Sequence, residues 1–164
     1  VGLSESAAGY LIAVGGLAGL TIRLLAGLYA DRAPFDSLRA VSALVLVGGF
    51  GWLIMATDQP VAFAIGLVIA NAFGWGWPGL QHLSMARRFP TSTAAASGIS
   101  QTGIAAGLLI GPAVLGLLVT TAGWSWMWLS AAIAAFLGSA VVWVASSRIP
   151  TLRVTQHAEG GDGF

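Results

Sequence analysis

An all-α bundle of five membrane-spanning helices is the fold class that this sequence predicts, and three observations predict it. Of the 164 residues, 57% are hydrophobic and 8% charged, with a mean hydropathy of +0.85. A soluble domain carries about 25% charged residues, and a globule this poor in charge could not cover its surface, so the bilayer is the expected solvent. Five apolar runs each approach or exceed the ~20 residues that a spanning helix needs. These runs are rich in Ala, Leu and Gly and about 17 to 29 residues long, whereas a barrel strand would be about half that length and would alternate.

The first span is expected from about Ser6 to Leu28 and the second from about Ala40 to Ala56. The third runs from about Pro60 to Ser84, the fourth from about Thr93 to Thr121, and the fifth from about Ser125 to Ala145. Asp58 or Thr57 is placed to cap the third helix, with Pro60 in its first turn. "FPTST" breaks and recaps the chain before the fourth. Gly123 and Ser125 turn it tightly into the fifth, and Pro150 follows the end of that span. Residues 1–148 thus form the transmembrane bundle, and 149–164 a polar cytoplasmic tail expected to be disordered.

Charge placement sets an orientation. All seven cations are arginines. Arg23, Arg32 and Arg39 surround the first connection, Arg87 and Arg88 the third, and Arg148 and Arg153 follow the last span. The second connection holds Asp58 and the fourth no charge, so every arginine falls on one side, which the positive-inside rule makes cytoplasmic. The chain then starts outside and ends inside. It begins with Val1 and carries no signal-peptide pattern, so an odd number of upstream spans is expected and the chain reads as a fragment.

Other classes are disfavoured by what is missing. The absence of cysteine removes disulfides, thiolate metal sites and cysteine nucleophiles. A net charge of +1 without a basic tract argues against nucleic acid as a partner. No hydrolase triad, metal-ligand cluster or phosphate-cradling loop is present, and "GGDGF" lacks the strand–helix context for phosphate binding. No catalytic residue, metal or cofactor is therefore expected.

Within the first span Gly15, Gly19, Arg23 and Gly27 recur every fourth residue and share one face. Small residues at that spacing let membrane helices approach closely. Arg23 lies within snorkelling reach of the cytoplasmic interface, and an interfacial arginine with no further role is the alternative reading. Asp31 and Arg32 stand at the helix exit, where a carboxylate opposes its own helix dipole and would be tolerated facing the N-terminus of another helix.

"GLYADRAPFDSLR" resembles the loop signature of the major facilitator superfamily: a glycine, three residues, Asp-Arg, then a Gly-Arg-Arg cluster. Gly27, Asp31 and Arg32 match. Pro34, Phe35 and Asp36 replace the cluster, and Arg39 is the only later cation. "GIAAGLLIGPAVLG" in the fourth span is similar to the Gly-Pro helix of that superfamily, and "GWGWPGL" in the third is similar to its cyanate-type subgroup. The degenerate cluster and the short polar ending resemble the second half of such a transporter, with the spans as helices eight to twelve. The first half, spans two to six, has the same orientation and is the alternative. The resemblance implies a secondary active carrier that rocks two halves about a central site in an integral, bacterial inner-membrane protein. Its partners would be the lipid bilayer, the missing upstream helices and an unknown small-molecule substrate. It further implies that Asp31 faces the N-terminus of the fourth span.

Secondary transporters bind solute near the midplane, where helices are broken or rich in Gly and Pro. The third span carries Gly74, Gly76, Pro78 and Gly79, and Pro78 removes a hydrogen bond to the carbonyl of Gly74. Asn71, Trp75, Pro78 and His82 follow one face of it, and an amide facing lipid would be costly, so Asn71 should face protein or water. Trp75 and Trp77 are candidate cavity walls, with interfacial belting or packing as the alternative. Gln81 and His82 lie nearer the cytoplasm. Ser97, Gln101 and Thr102 cluster on the fourth span, where Gly103, Gly107 and Gly111 form a packing stripe. Tyr10 is a belt or gate residue. The pathway candidates are therefore Asn71, Trp75, Trp77, Gln101 and Tyr10, and the gating set is Gly27, Asp31, Arg32 and Arg23. No Asp, Glu or Lys lies deep in a span, so a coupling carboxylate would belong elsewhere. A non-transporting membrane subunit or scaffold is the rival class, and a membrane enzyme ranks third.

Overall fold

The structure, a computed structural model, describes residues 2, 4–32 and 35–149. Six helices follow in order: α1 (Glu5–Arg32), α2 (Ser37–Met55), α3 (Pro60–Gly74), α4 (Pro78–Arg88), α5 (Thr93–Ala122) and α6 (Trp124–Arg148). No strand occurs among the described residues. Helices α3 and α4 together make the third span, giving five segments long and apolar enough to cross a membrane. This is an all-α membrane helix bundle.

Helix ends depart from the hydropathy limits where polar groups extend them. Helix α1 continues past Leu28 to Arg32, because Arg87 donates from Nη2 to the Ala30 carbonyl at 3.2 Å and satisfies one of its terminal acceptors. Helix α2 starts at Ser37 rather than Ala40, because the Asp36 carboxylate caps it by accepting the Leu38 and Arg39 amides at 3.0 and 3.4 Å. Neither Thr57 nor Asp58 is the N-cap residue of α3. The N-cap is Gln59, without a side-chain bond, since the Thr57 hydroxyl turns back to the Ile54 carbonyl at 2.8 Å and Asp58 occupies a left-handed turn at φ 59°. Pro60 is in the first turn as expected. Helix α4 runs past Ser84 to Arg88. Gly123 at φ 91° is the whole connection between α5 and α6, so α6 begins at Trp124. It ends at Arg148, and the expected tail with Pro150 and Arg153 lies outside the described residues.

Helix α2 is the hub, with α3 on one side and α6 on the other. Helix α1 lies on α3 and α4, while α5 lies on α6 and α4. Missing side chains make the hub possible. A Cβ on Gly51 would sit 2.7 Å from the Gly66 carbonyl, and one on Gly66 would sit 2.6 Å from the Gly51 carbonyl, so α2 and α3 meet backbone to backbone. Across the α2–α6 contact, Ser42 and Ser139 are buried and clasp each other. Each hydroxyl donates to the other's backbone carbonyl, at 2.8 and 2.9 Å. Trp52 and Trp128 stack at 5.5 Å, with Phe63 edge-on to Trp128 at 5.8 Å, at the end of the bundle away from Arg32 and Arg88.

Helix α5 buries no residue. A Cβ on Gly103, Gly107 or Gly111 would meet nothing within 4 Å. The expected packing stripe of α5 therefore has no partner among the described residues, because α5 stands at the margin of the bundle.

Candidate functional site

The third span is interrupted. Helix α3 ends at Gly74 and α4 begins at Pro78, which has no N–H to give to a preceding turn. Between them the Gly76 amide turns back to the Phe73 carbonyl at 3.2 Å. Gly76 fits there for want of a side chain, since a Cβ would lie 2.7 Å from Ile22 and 2.9 Å from the Ala72 carbonyl. An interrupted helix leaves carbonyls unpaired, which is costly in an apolar setting. One of them is met from outside: Arg23 on α1 donates from Nε to the Trp75 carbonyl at 2.7 Å. The guanidinium thus caps the broken helix rather than reaching away from it.

Two grooves open between α1 and this break. One, of about 330 Å³, is lined by Gly16, Gly19, Leu20, Arg23, Asn71 and Trp75. The other, of about 160 Å³, lies toward the Arg32 end between α1 and α4, where Arg23, Gly27, Asp31, Gly76 and Gly79 contribute to its wall. Arg23 borders both.

Gly15 and Gly19 are where α1 meets Asn71. A Cβ on Gly19 would lie 2.9 Å from the Asn71 carbonyl, and one on Gly15 would lie 3.1 Å from the Asn71 side chain. Asn71 is half-buried and donates from Nδ2 to the Leu67 carbonyl at 3.0 Å. Trp75 is 49% exposed on the larger groove. Trp77 is elsewhere, packed on the small core of Ala30, Val41 and Leu80. Gln101 and Tyr10 border neither groove. Gln101 bonds His82 of α4 at 3.2 Å, one residue along each helix from a bond that Gln81 Nε2 donates to Ser100 Oγ, so these two polar pairs tie α4 to α5. Thr102 bonds its own helix at the Gly98 carbonyl. Tyr10 is 75% exposed near the start of α1.

Gly27 and Asp31 lie on the smaller groove, and Arg32 is exposed at the end of α1. Among the described residues Asp31 makes no hydrogen bond or ion pair, and none joins it to the start of α5. Another aspartate holds this end together. Asp36 accepts a charge-assisted bond from Arg88 Nη2 at 2.8 Å, while Arg88 is only 1% exposed at its side chain. Among the described residues, Arg88 Nε and Nη1 and the neighbouring Ser37 hydroxyl are buried without a partner. Sequence reading missed this pair. An N-cap signal, Asp36 before an apolar-periodic run, was available for the α2 start, but nothing local links Asp36 to an arginine 52 positions away.

No curated protein and no solved structure matches this chain. A family model does, over nearly the whole of the chain. The match is to the Major Facilitator Superfamily over residues 1–162, and the chain belongs to that superfamily of membrane transporters.

Proposed function

We propose that this chain is part of the second half of a secondary active transporter, its spans corresponding to helices eight to twelve, which moves a small solute by alternating access. The solute path runs along the face where α1 meets the break between α3 and α4. One observation carries this reading: the break is open on grooves lined by glycine, Asn71, Trp75 and Arg23, the kind of discontinuous segment at which transporters bind their solutes. The degenerate cluster after Arg32 supports the second-half assignment.

The test is made in the complete carrier, reconstituted in proteoliposomes. Asn71→Leu removes the amide on the groove and leaves the glycine contacts of the α2–α3 seam untouched. Transport is expected to fall at least about tenfold, the scale of about 1.4 kcal/mol, with unchanged abundance in the membrane. Undiminished transport would place Asn71 in packing alone, and a carrier that moves no solute would favour the scaffold reading. The arginine-rich end is proposed as cytoplasmic, in a bacterial inner membrane. Single cysteines check it, since the chain has none of its own: one at Gln59 should react with an impermeant reagent outside intact cells, and one at Ser147 should not.

A further inference from the structure

Arg23 lies five residues inside the expected span end at Leu28, about 7.5 Å at 1.5 Å per residue, on the apolar length of α1. An ionised group at such a depth is rare unless it is paired or faces a watery cavity. Its one bond, Nε to the Trp75 carbonyl, fixes the guanidinium without consuming it. Arginine carries five N–H donors. Among the described residues no acceptor takes the two terminal nitrogens, and Asp31, on the same smaller groove, forms no ion pair with them.

The surroundings suit a ligand of one charge. The larger groove, of about 330 Å³, has bare backbone at Gly16, where a Cβ would meet nothing within 4 Å, beside the indole of Trp75 and the side chain of Leu20. It thus pairs a cationic fork with apolar walls. On the other side of Arg23, α4 starts without a side-chain cap, and Gly79 of its first turn lines the smaller groove. The positive end of that helix adds to the field of the guanidinium. Neither groove brings in a second cation.

We infer that Arg23 is the anchor for an anionic solute, a small carboxylate whose oxygens accept from the two terminal nitrogens while its carbon skeleton lies against Trp75 and Leu20. The inference rests on the solute path proposed above and names its substrate class. Planar two-point recognition uses the guanidinium fork, which a lysine's point charge would not supply.

The experiment uses the complete carrier, purified and delipidated in a phosphate-free maltoside detergent. Its melting midpoint is followed with acetate, benzoate and oxalate as sodium salts, and with acetamide, benzamide and oxamide as neutral counterparts. Sodium chloride balances the ionic strength. At least one carboxylate is expected to raise the midpoint in a saturable way while its amide does not. In Arg23→Gln the apparent affinity should fall at least about tenfold, as expected when a charged two-point contact is lost, and Arg23→Lys should be intermediate. Because Arg23→Gln also removes the cap on Trp75, Gly16→Leu provides the second variant. It fills the groove without touching the Arg23–Trp75 bond, and should abolish the response while the unliganded midpoint holds.

Equal protection by amides, an undiminished response in both variants, or no response to any carboxylate would overturn the assignment. So would stabilisation by dihexanoyl phosphatidylglycerol alone, which would make Arg23 a lipid contact. The two readings fail separately. A carboxylate that binds through Arg23 but is never moved across proteoliposomes leaves the anion site and removes the transporter. Transport of neutral solutes unaffected by Arg23→Gln does the reverse.

Discussion

A single carboxylate does two jobs at the arginine-rich end: Asp36 caps α2 through the Leu38 and Arg39 amides and also receives the buried Arg88. The two roles separate by substitution, because asparagine is as good an N-cap as aspartate but carries no charge. Asp36→Asn should therefore keep the start of α2 and leave Arg88 buried with a weakened partner, its Nε and Nη1 having none among the described residues. The expected loss is about 1–3 kcal/mol, below the usual cost of opening a fully buried pair because Asp36 retains some solvent contact. Unfolding of the purified carrier in detergent measures it, and a cycle with Arg88→Gln gives the coupling; strict additivity would mean that the pair contributes nothing. At this scale the sequence was only partly legible. Arg23 stood out because a charge in an apolar run is anomalous wherever it points. Asp36 and Arg88 looked like ordinary loop charges, since a pairing across 52 positions leaves no local trace.

Elements were far easier to read than the contacts between them. Hydropathy and length located every span, and Pro78 among glycines marked the third as the one to kink; it is broken outright, and the interruption at Trp75 to Trp77 lies where that proline withholds its N–H. Span ends were less legible, because Arg87 and Asp36 extend α1 and α2 through tertiary and capping bonds that hydropathy does not weigh. Glycine spacing was ambiguous for a physical reason. The same small-residue pattern occurs on α1, where Gly19 is pressed against Asn71, and on α5, where Gly107 meets nothing. Only the neighbour distinguishes them. Gly51 and Gly138 make the distinction testable within one bundle. Gly51→Leu drives a side chain into the α3 backbone, where overpacking costs about 1–3 kcal/mol or more, and should cut the yield of monodisperse carrier. Gly138→Leu, on an open face of α6, should leave the yield unchanged. Equal behaviour of the two on size-exclusion chromatography would show that the seam between α2 and α3 tolerates spreading.

For the molecule as a whole, the least covered spans are α5 and α1. Helix α5 buries nothing and the two grooves run along α1, whereas α2 is enclosed between α3 and α6. Asp31 and Asp36 lie on opposite sides of this division, five positions apart in sequence. Asp36 is bonded within the bundle, while Asp31 lies on the smaller groove with no bond among the described residues. A charge without a bond among the described residues of its own bundle acts, under the proposed alternating access, through whatever meets that groove in one state and leaves it in the other. The resemblance implies that Asp31 faces the N-terminus of α5; among the described residues no bond joins them. A carboxylate at a helix N-terminus contributes about 0.3–1 kcal/mol, rising to about 2 when partly buried. A change of about 1.4 kcal/mol alters a two-state ratio about tenfold. Asp31→Asn should therefore leave the unfolding midpoint of the carrier within about 0.5 kcal/mol of the parent, as for a surface substitution, yet shift the conformational ratio several-fold toward the state open at the arginine-rich end and slow turnover. Asp36→Asn should do the opposite, lowering the midpoint first. A reporter cysteine at Ser147, read by its rate of alkylation in each variant alongside transport, separates the two. Unchanged alkylation and transport in Asp31→Asn would leave Asp31 a solvated charge and pass the control of that end to the Asp36–Arg88 pair.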